Sequence, residues 1–196
     1  MLLPAGTRAA DGVVRVGGAQ LQHLRDIQSY AVGDTLRVGE IGGCVGVGTV
    51  LAIDAHEAVI RLEQAGTPPP AALPCTLVIA LPRPKMLKRI LVDASSLGVK
   101  RICFINSYRV DKSSWSSPQL TASAIEEKCR LGLEQSIDTV LPVVTLHPRF
   151  RPFVEDELPA LIGDAQALVA HPAGTHQCPH HTTKPTTLVI GPEGGF

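Results

Sequence analysis

The chain has 196 residues, 44% of them hydrophobic and 18% charged, with a mean hydropathy of +0.17. That is apolar enough for one large or two small packed domains and excludes a disordered, solvated chain. Eighteen basic residues balance eighteen acidic ones, no run approaches the roughly 20 apolar residues of a membrane helix, and the start MLLPAGTRAADG lacks the basic and apolar blocks of a secretory signal, so a soluble cytoplasmic protein is expected.

Residues 13–16, 35–38, 44–53 and 58–62 are short β-branched runs, separated or interrupted by glycines at 33, 39, 42, 43, 46 and 48. They predict a small β-barrel or sandwich. Leu21, Leu24 and Ile27 recur at helical spacing and predict one helix over 19–27. At 64–74 the stretch QAGTPPPAALP can continue neither a strand ladder nor a helix. It sets the expected organisation: a β domain over 1–66, a linker over 67–75 and a second domain over 76–196.

The second part alternates the two periods. LVIAL at 77–81 is a continuous apolar run, and 84–97 follows with Met86, Leu87, Ile90, Leu91, Ala94 and Leu97 on one stripe and Gly98 as a stop. The next buried run is 102–105; Ser117-Pro118 then reads as a cap followed by proline at the first helical position. Further apolar runs lie at 140–144, 166–170 and 187–190, with a helical pattern over 153–162. Uniformly apolar strands alternating with helices predict a parallel sheet between helical layers. Cys44, Cys75, Cys103, Cys129 and Cys178 are odd in number, widely spaced and mostly set in apolar runs, which predicts reduced core thiols.

Neutrality hides a segregation of charge. Over 83–112 the basic residues Arg83, Lys85, Lys88, Arg89, Lys100, Arg101, Arg109 and Lys112 face only Asp93 and Asp111, a net +6, whereas residues 1–63 carry five basic and seven acidic residues, a net −2. Such a block is either a solvated helix face or a phosphate-backbone footprint. Placement favours the footprint: Arg83 and Lys85 follow one strand and Arg109 and Lys112 the next, at the carboxyl edge where open α/β sheets bind ligands. With aromatics at 4%, rows of rings stacking on single-stranded nucleic acid are not expected.

The last run, TLVI, leads straight into GPEGGF at 191–196. A strand ending in glycines lets main chain approach a ligand, although three glycines also make an ordinary turn. The pattern is not GxGxxG and lacks the GK[ST] of a phosphate loop, which disfavours a nucleoside triphosphate.

Behind the small β domain the segments LPRPKMLKRILVDASSLGVKRI, NSYRVDK, EQSIDTVLPVV, VAHPAG and LVIGPEGGF occur in this order. In these motifs the chain resembles the RsmE family of ribosomal RNA methyltransferases, of the knotted SPOUT superfamily. The resemblance implies an α/β fold with a SPOUT-type knotted parallel sheet and helices on both faces, preceded by a PUA-like RNA-binding β-barrel. It implies methyl transfer from S-adenosyl-L-methionine to N3 of a uridine in 16S, small-subunit rRNA, by a homodimer with its active site at the subunit interface. Neither a metal nor a membrane is implied. Ala170, His171 and Pro172, with Gly191, Pro192, Glu193, Gly194 and Gly195, would form two of the loops that wrap the cofactor. Lys85, Lys88 and Lys112, joined from the β domain by Arg8, His23 and Arg25, would face RNA; His23-Leu24 and Gly33-Asp34 match family positions. Ser29 stands where the family carries arginine, and Ile137-Asp138 where it carries Gly-Arg, so two positive charges are missing from RNA-facing places. The family continues past the position of Phe196 through a helix and an LGxRILRxETA segment that closes the knot, so a truncated chain or a further tail is expected.

Chemically, such an enzyme must align the methyl sulfonium and remove the N3 imide proton. A cation near the uridine carbonyls favours the deprotonated base. Arg109 and Arg83 are the candidates, from their sheet-edge positions and an expected lack of nearby acids; replacing either by alanine should cut turnover and leave cofactor affinity nearly intact. Glu193, a carboxylate inside a glycine turn, reads first as a partner for neighbouring backbone N–H groups rather than as a base. His171, His176, Cys178, His180 and His181 crowd one span, but without a CxxC partner and among prolines they read as an exposed loop, not a metal site. Ser95 and Ser96 read as helix residues, Cys103 as packing, and His23 first as capping or packing its helix. Two other classes remain: a non-catalytic RNA-binding protein that retains the module, and an α/β enzyme for another nucleotide-like ligand. Titration with S-adenosylmethionine separates them from the leading reading.

Overall fold

A computed structural model gives the arrangement of the chain and describes residues 1–7, 12–63, 66–180 and 183–196. Arg8 therefore lies outside the described residues, as does His181. The chain divides into two compact units, Met1–Pro70 with Leu133–Val140, and Ala71–Gly132 with Leu141–Phe196.

The first unit is built on strands β1 (Leu2–Leu3), β2 (Val13–Val16), β3 (Thr35–Glu40), β4 (Val45–Ile53) and β5 (Ala58–Leu62), in the order β1-β3-β4-β5-β2. All neighbours are antiparallel except β1 and β3. Strand period sets the faces: Val14 and Val16 are buried while Arg15 between them is exposed. They join Leu3, Leu36, Val38, Val50 and Ile60 in the core. Helix α1 (Gly18–Gln22) runs into a wider π turn, His23–Ile27, and the two bury Leu21 and Leu24. The π turn takes an extra residue per turn, so Ile27, expected on the buried stripe, is turned out and is 71% exposed.

From sequence, residues 133–140 belong with the second domain, yet Leu133–Val140 packs with the first unit. Bonds distant in sequence place it there. The Leu2 N–H donates to Glu134 Oε1 at 2.9 Å, the Gly42 N–H to the Thr139 carbonyl at 2.9 Å, and Thr139 Oγ1 donates to the Gly43 carbonyl at 2.5 Å.

The second unit is a parallel sheet of β6 (Leu73–Ala80), β7 (Val99–Ile105), β8 (Val143–His147), β9 (Gln166–Ala170) and β10 (Thr186–Ile190), ordered β8-β7-β6-β10-β9. Alternation along β7 sends Ile102 and Phe104 to one face and Cys103 and Ile105 to the other. On the first face they meet Leu87, Leu91 and Ala94 of α2 (Pro84–Ser96) and Ile125 and Cys129 of α3 (Ala122–Ser136). On the second they meet Phe153, Val154, Leu158 and Leu161 from the α4 (Phe150–Pro152), π-turn (Phe153–Glu157) and α5 (Leu158–Ile162) segment. A fully buried side chain such as Ile102, Phe104, Leu87, Leu91 or Phe153 contributes about 1.5–3 kcal/mol. The mixed α/β fold expected from the alternating pattern is thus the one observed.

Three boundaries differ from expectation. Ser117-Pro118 opens only a 3-10 turn, Pro118–Leu120; α3 starts after Thr121, whose Oγ1 accepts the Ala124 N–H at 3.3 Å. β8 starts at Val143 rather than 140, because Pro142 has no N–H for the ladder and Asp138 Oδ1 turns the chain by accepting the Val140 N–H. Of the five cysteines, all free, Cys103 and Cys129 are buried but Cys44 and Cys178 are exposed, so core packing explains only some of them. Among the described residues no helix is long and apolar enough to cross a membrane.

Candidate functional site

Strand register brings the site together. Ile190 of β10 lies level with Ala170 of β9 and Ile79 of β6, and Ala80 of β6 lies level with Ile105 of β7. The residues that follow these strands, Gly191, His171, Arg83 and Arg109, therefore emerge at one carboxyl edge.

The glycine segment is a tight turn closed by the Gly195 N–H on the Pro192 carbonyl at 2.9 Å, with φ +85° at Gly194 and +81° at Gly195. Only glycine adopts such angles without strain, and here a second constraint is added by neighbours. A methyl group on Gly195 would run into the His171 ring, and one on Gly194 into the Arg109 guanidinium. Arg109 Nη1 donates to the Gly194 carbonyl at 2.7 Å across 85 residues of sequence, leaving its other N–H donors for a ligand. His171 is held by its own turn: its Nδ1 accepts the Ala173 N–H at 3.1 Å, and its carbonyl accepts the Gly174 N–H at 2.9 Å. Ala170 and Pro172 flank it and are exposed.

Beside the turn is an open hollow of about 720 Å³ bordered by Arg83, Met86, Arg109, Asp111, Gly191 and Glu193. Arg83 occupies the N-cap position of α2, and its carbonyl accepts the Met86 and Leu87 N–H groups at 2.9 and 3.0 Å, which anchors its backbone while the side chain stays exposed. Asp111 Oδ1 accepts both the N–H and the hydroxyl of Ser113, at 2.9 and 2.8 Å. Those bonds, the backbone one foremost, hold its carboxyl below the usual carboxylate range, and the nearby charge of Arg83 adds to the effect. Arg83, read from sequence as clear of acids, thus has Asp111 near it. Glu193 differs from its sequence reading as well: it is exposed and bonds to no neighbouring backbone N–H among the described residues, which leaves a free carboxylate at the rim of the hollow.

Lys85, Lys88 and Lys112 are exposed in the same unit. In the first unit His23 is exposed rather than packed, and Arg25 is exposed, with its Nη1 reaching the Asp54 carbonyl at 3.4 Å and its Nη2 lying 3.9 Å from Asp26. His176, Cys178 and His180 are exposed, and among the described residues no group of three His, Cys, Asp or Glu side chains is placed to hold a metal. Burial pushes the Cys103 thiol up, only partly offset by a hydrogen bond with Thr145, so it is not a thiolate nucleophile. The Arg109–Gly194 clasp has no sequence signal, since nothing in a motif reveals which carbonyl an arginine will reach.

A family model described as an RNA methyltransferase domain matches residues 69–196. The ribosomal RNA small subunit methyltransferase E of Treponema pallidum (strain Nichols) is 28% identical over 169 residues, covering 86% of this chain and 60% of that protein, so the chain spans about three-fifths of that relative's length. The crystal structure of a ribosomal RNA small subunit methyltransferase E from Neisseria gonorrhoeae, bound to S-adenosyl methionine, superimposes with a TM-score of 0.70 at 15% identity, covering 100% of this chain and 81% of that one, which is a likeness of fold. With its order of motifs, its parallel sheet and the matching model over residues 69–196, the chain belongs to the RNA methyltransferase domain family of RsmE type.

Proposed function

We propose that this protein uses S-adenosylmethionine to methylate N3 of a uridine in 16S ribosomal RNA, acting as a homodimer. In this reading the second unit is a SPOUT-type knotted domain and the first a PUA-like RNA-binding barrel. One observation carries it: the glycine turn and the His171 turn are packed side by side at the end of a parallel sheet, next to a hollow edged by two arginines. The names of the relatives support the substrate class and the cofactor.

The residues present fit that cofactor. Gly194 and Gly195 carry no side chain where Arg109 and His171 approach, so the two turns pack closely, and the main chain of Gly191, Pro192 and Glu193 borders the hollow where a ligand would sit. Bound there, S-adenosylmethionine supplies an electrophilic methyl group. The chain's own tasks are to orient the uridine and to stabilise its deprotonated form. Arg83, anchored at the head of α2, faces the hollow as a cation for the charge that spreads over N3 and the carbonyl oxygens. Glu193, the carboxylate at that rim without a described partner, is placed to take the N3 proton; Asp111 is committed to Ser113. Arg109 combines two roles, since the guanidinium that would meet the base also holds the Gly194 carbonyl. The earlier expectation for it is therefore revised: alanine at Arg109 should weaken cofactor binding as well as turnover, whereas alanine at Arg83 should spare the cofactor. Lys85, Lys88 and Lys112 supply phosphate contacts from the second unit, and His23 and Arg25 face RNA from the barrel.

Calorimetric titration with S-adenosylmethionine and S-adenosylhomocysteine, followed by mass mapping of methylated uridine in small ribosomal subunits, tests the proposal. Saturable heat with N3-methyluridine formed supports it. Absence of saturable heat with RNA binding retained would make the protein a non-catalytic RNA-binding module, and preference for NAD or ATP would make it a different α/β enzyme.

A further inference from the structure

Tyr108 is one of two tyrosines in the chain and is 102% exposed, the most exposed of the large apolar side chains among the described residues. A single exposed ring needs no explanation by itself. Its mounting does. Ser107 to Val110 form a turn closed by the Val110 N–H on the Ser107 carbonyl at 3.1 Å, and the next residue in that turn, Arg109, is tied to Gly194 at 2.7 Å. Asp111 then caps the following 3-10 turn, Lys112–Ser116, through Ser113. The ring is thus held out in solvent by a backbone fixed on both sides, beside the exposed cations Arg109 and Lys112 and at the same sheet edge as the hollow. A rigidly mounted aromatic with cations alongside has the composition of a nucleobase platform: the ring gives a sequence-tolerant face, the cations take the backbone, and two side-chain torsions make its immobilisation cheap.

We infer that Tyr108 stacks on an unpaired RNA base next to the uridine that enters the hollow, and so sets the register of the strand. This rests on the methyltransferase reading above and deepens it. Arg109 reaches Gly194 and lines the hollow, whereas Tyr108 is fully exposed and does not line it, so the stacked base is a neighbour of the reacting one and not the reacting one itself. The low aromatic content that argues against rows of rings is compatible with one such platform.

The test compares the unaltered chain with Tyr108→Ala and Tyr108→Phe. Affinity for a short single-stranded uridine oligonucleotide is measured by fluorescence anisotropy across a salt series, and S-adenosylmethionine binding by calorimetry. Stacking predicts that Tyr108→Ala loses about five- to a hundredfold in RNA affinity, that Tyr108→Phe retains it, that the slope of affinity against salt stays unchanged because no phosphate contact is lost, and that cofactor binding is equal in all three. Unaltered RNA affinity in Tyr108→Ala, or equal loss in Tyr108→Ala and Tyr108→Phe, overturns the platform. So does a change of sedimenting mass in Tyr108→Ala with RNA affinity intact, which would place the ring between copies of the chain. If the unaltered chain binds neither RNA nor S-adenosylmethionine, the methyltransferase reading fails and the platform with it; if it binds both and Tyr108 is indifferent, only the platform fails.

Discussion

The backbone enters the left-handed region in two kinds of place. At Gly194 and Gly195 φ is +85° and +81°, and the residues are glycines. At Ser29 and Ile137 φ is +52° and +58°, and they are not. The difference lies in what surrounds each Cα. Beside the first pair, an arginine and a histidine fill the space a Cβ would need. Ile137, by contrast, is 42% exposed and terminates α3 with the Asp138 N–H on the Leu133 carbonyl at 3.0 Å, a cap that wants glycine only for its backbone angle. A left-handed residue facing solvent costs roughly 1–2 kcal/mol, which a well-packed unit can bear. One facing a neighbour that must stay in place does not have that latitude. At these left-handed positions glycine is therefore required by contact at the site, whereas at Ile137 it would be favoured only by conformation.

Six substitutions, in four comparisons, break or sharpen that contrast. The largest effect is expected at a third kind of glycine, Gly132 on α3, where a methyl would run into the Val92 carbonyl of α2 and come 2.8 Å from Ser95 Cβ. Backbone cannot swing aside as a side chain can, so Gly132→Ala should destabilise by about 3 kcal/mol, read as a fall in thermal midpoint. Gly195→Ala comes next. It combines backbone strain with displacement of the His171 ring, and S-adenosylmethionine affinity should fall about tenfold or more by calorimetry while the fold survives. Third, Arg109→Ala should weaken cofactor binding about fivefold, the worth of about 1 kcal/mol for one solvent-exposed hydrogen bond, whereas Arg83→Ala should leave it unchanged and lower turnover. Equal cofactor affinity in the two variants would remove the clasp from the mechanism. The smallest effect runs the other way: Ile137→Gly should raise stability by up to about 1 kcal/mol, part of the relieved strain being returned as chain entropy, and Ser29→Gly should gain less, since serine is not β-branched. A loss of stability in Ile137→Gly would show that its side chain packs for a purpose.

Much of the second unit was legible because its strands are local events: LVIAL, ICFI and TLVI are buried on both faces and read as such, and the stripe Leu87, Leu91, Ala94 declares the buried side of α2. The glycine turn and the His171 loop were legible as separate motifs. Their meeting was not, because it depends on β9 lying next to β10 in register, a pairing that no single segment encodes. The same reason hid the allegiance of Leu133–Val140, whose partners Leu2, Gly42 and Gly43 lie some hundred residues upstream. Ile27 and Pro142 misled for a more local cause, a π turn in one case and a missing N–H in the other. Motif spacing carries chemistry only when the elements that present it happen to be neighbours.

The clasp between Arg109 and Gly194 also bears on the order of events. A polyanion that recruits this guanidinium either shares it with the main-chain carbonyl through its remaining donors or draws it away, and in both cases the affinities of the two proposed ligands would be linked through it. Whatever factor the nucleic acid applies to the small molecule's dissociation constant, the small molecule returns to the nucleic acid. The sign of that factor reports whether the arginine lets go of the loop or serves both at once.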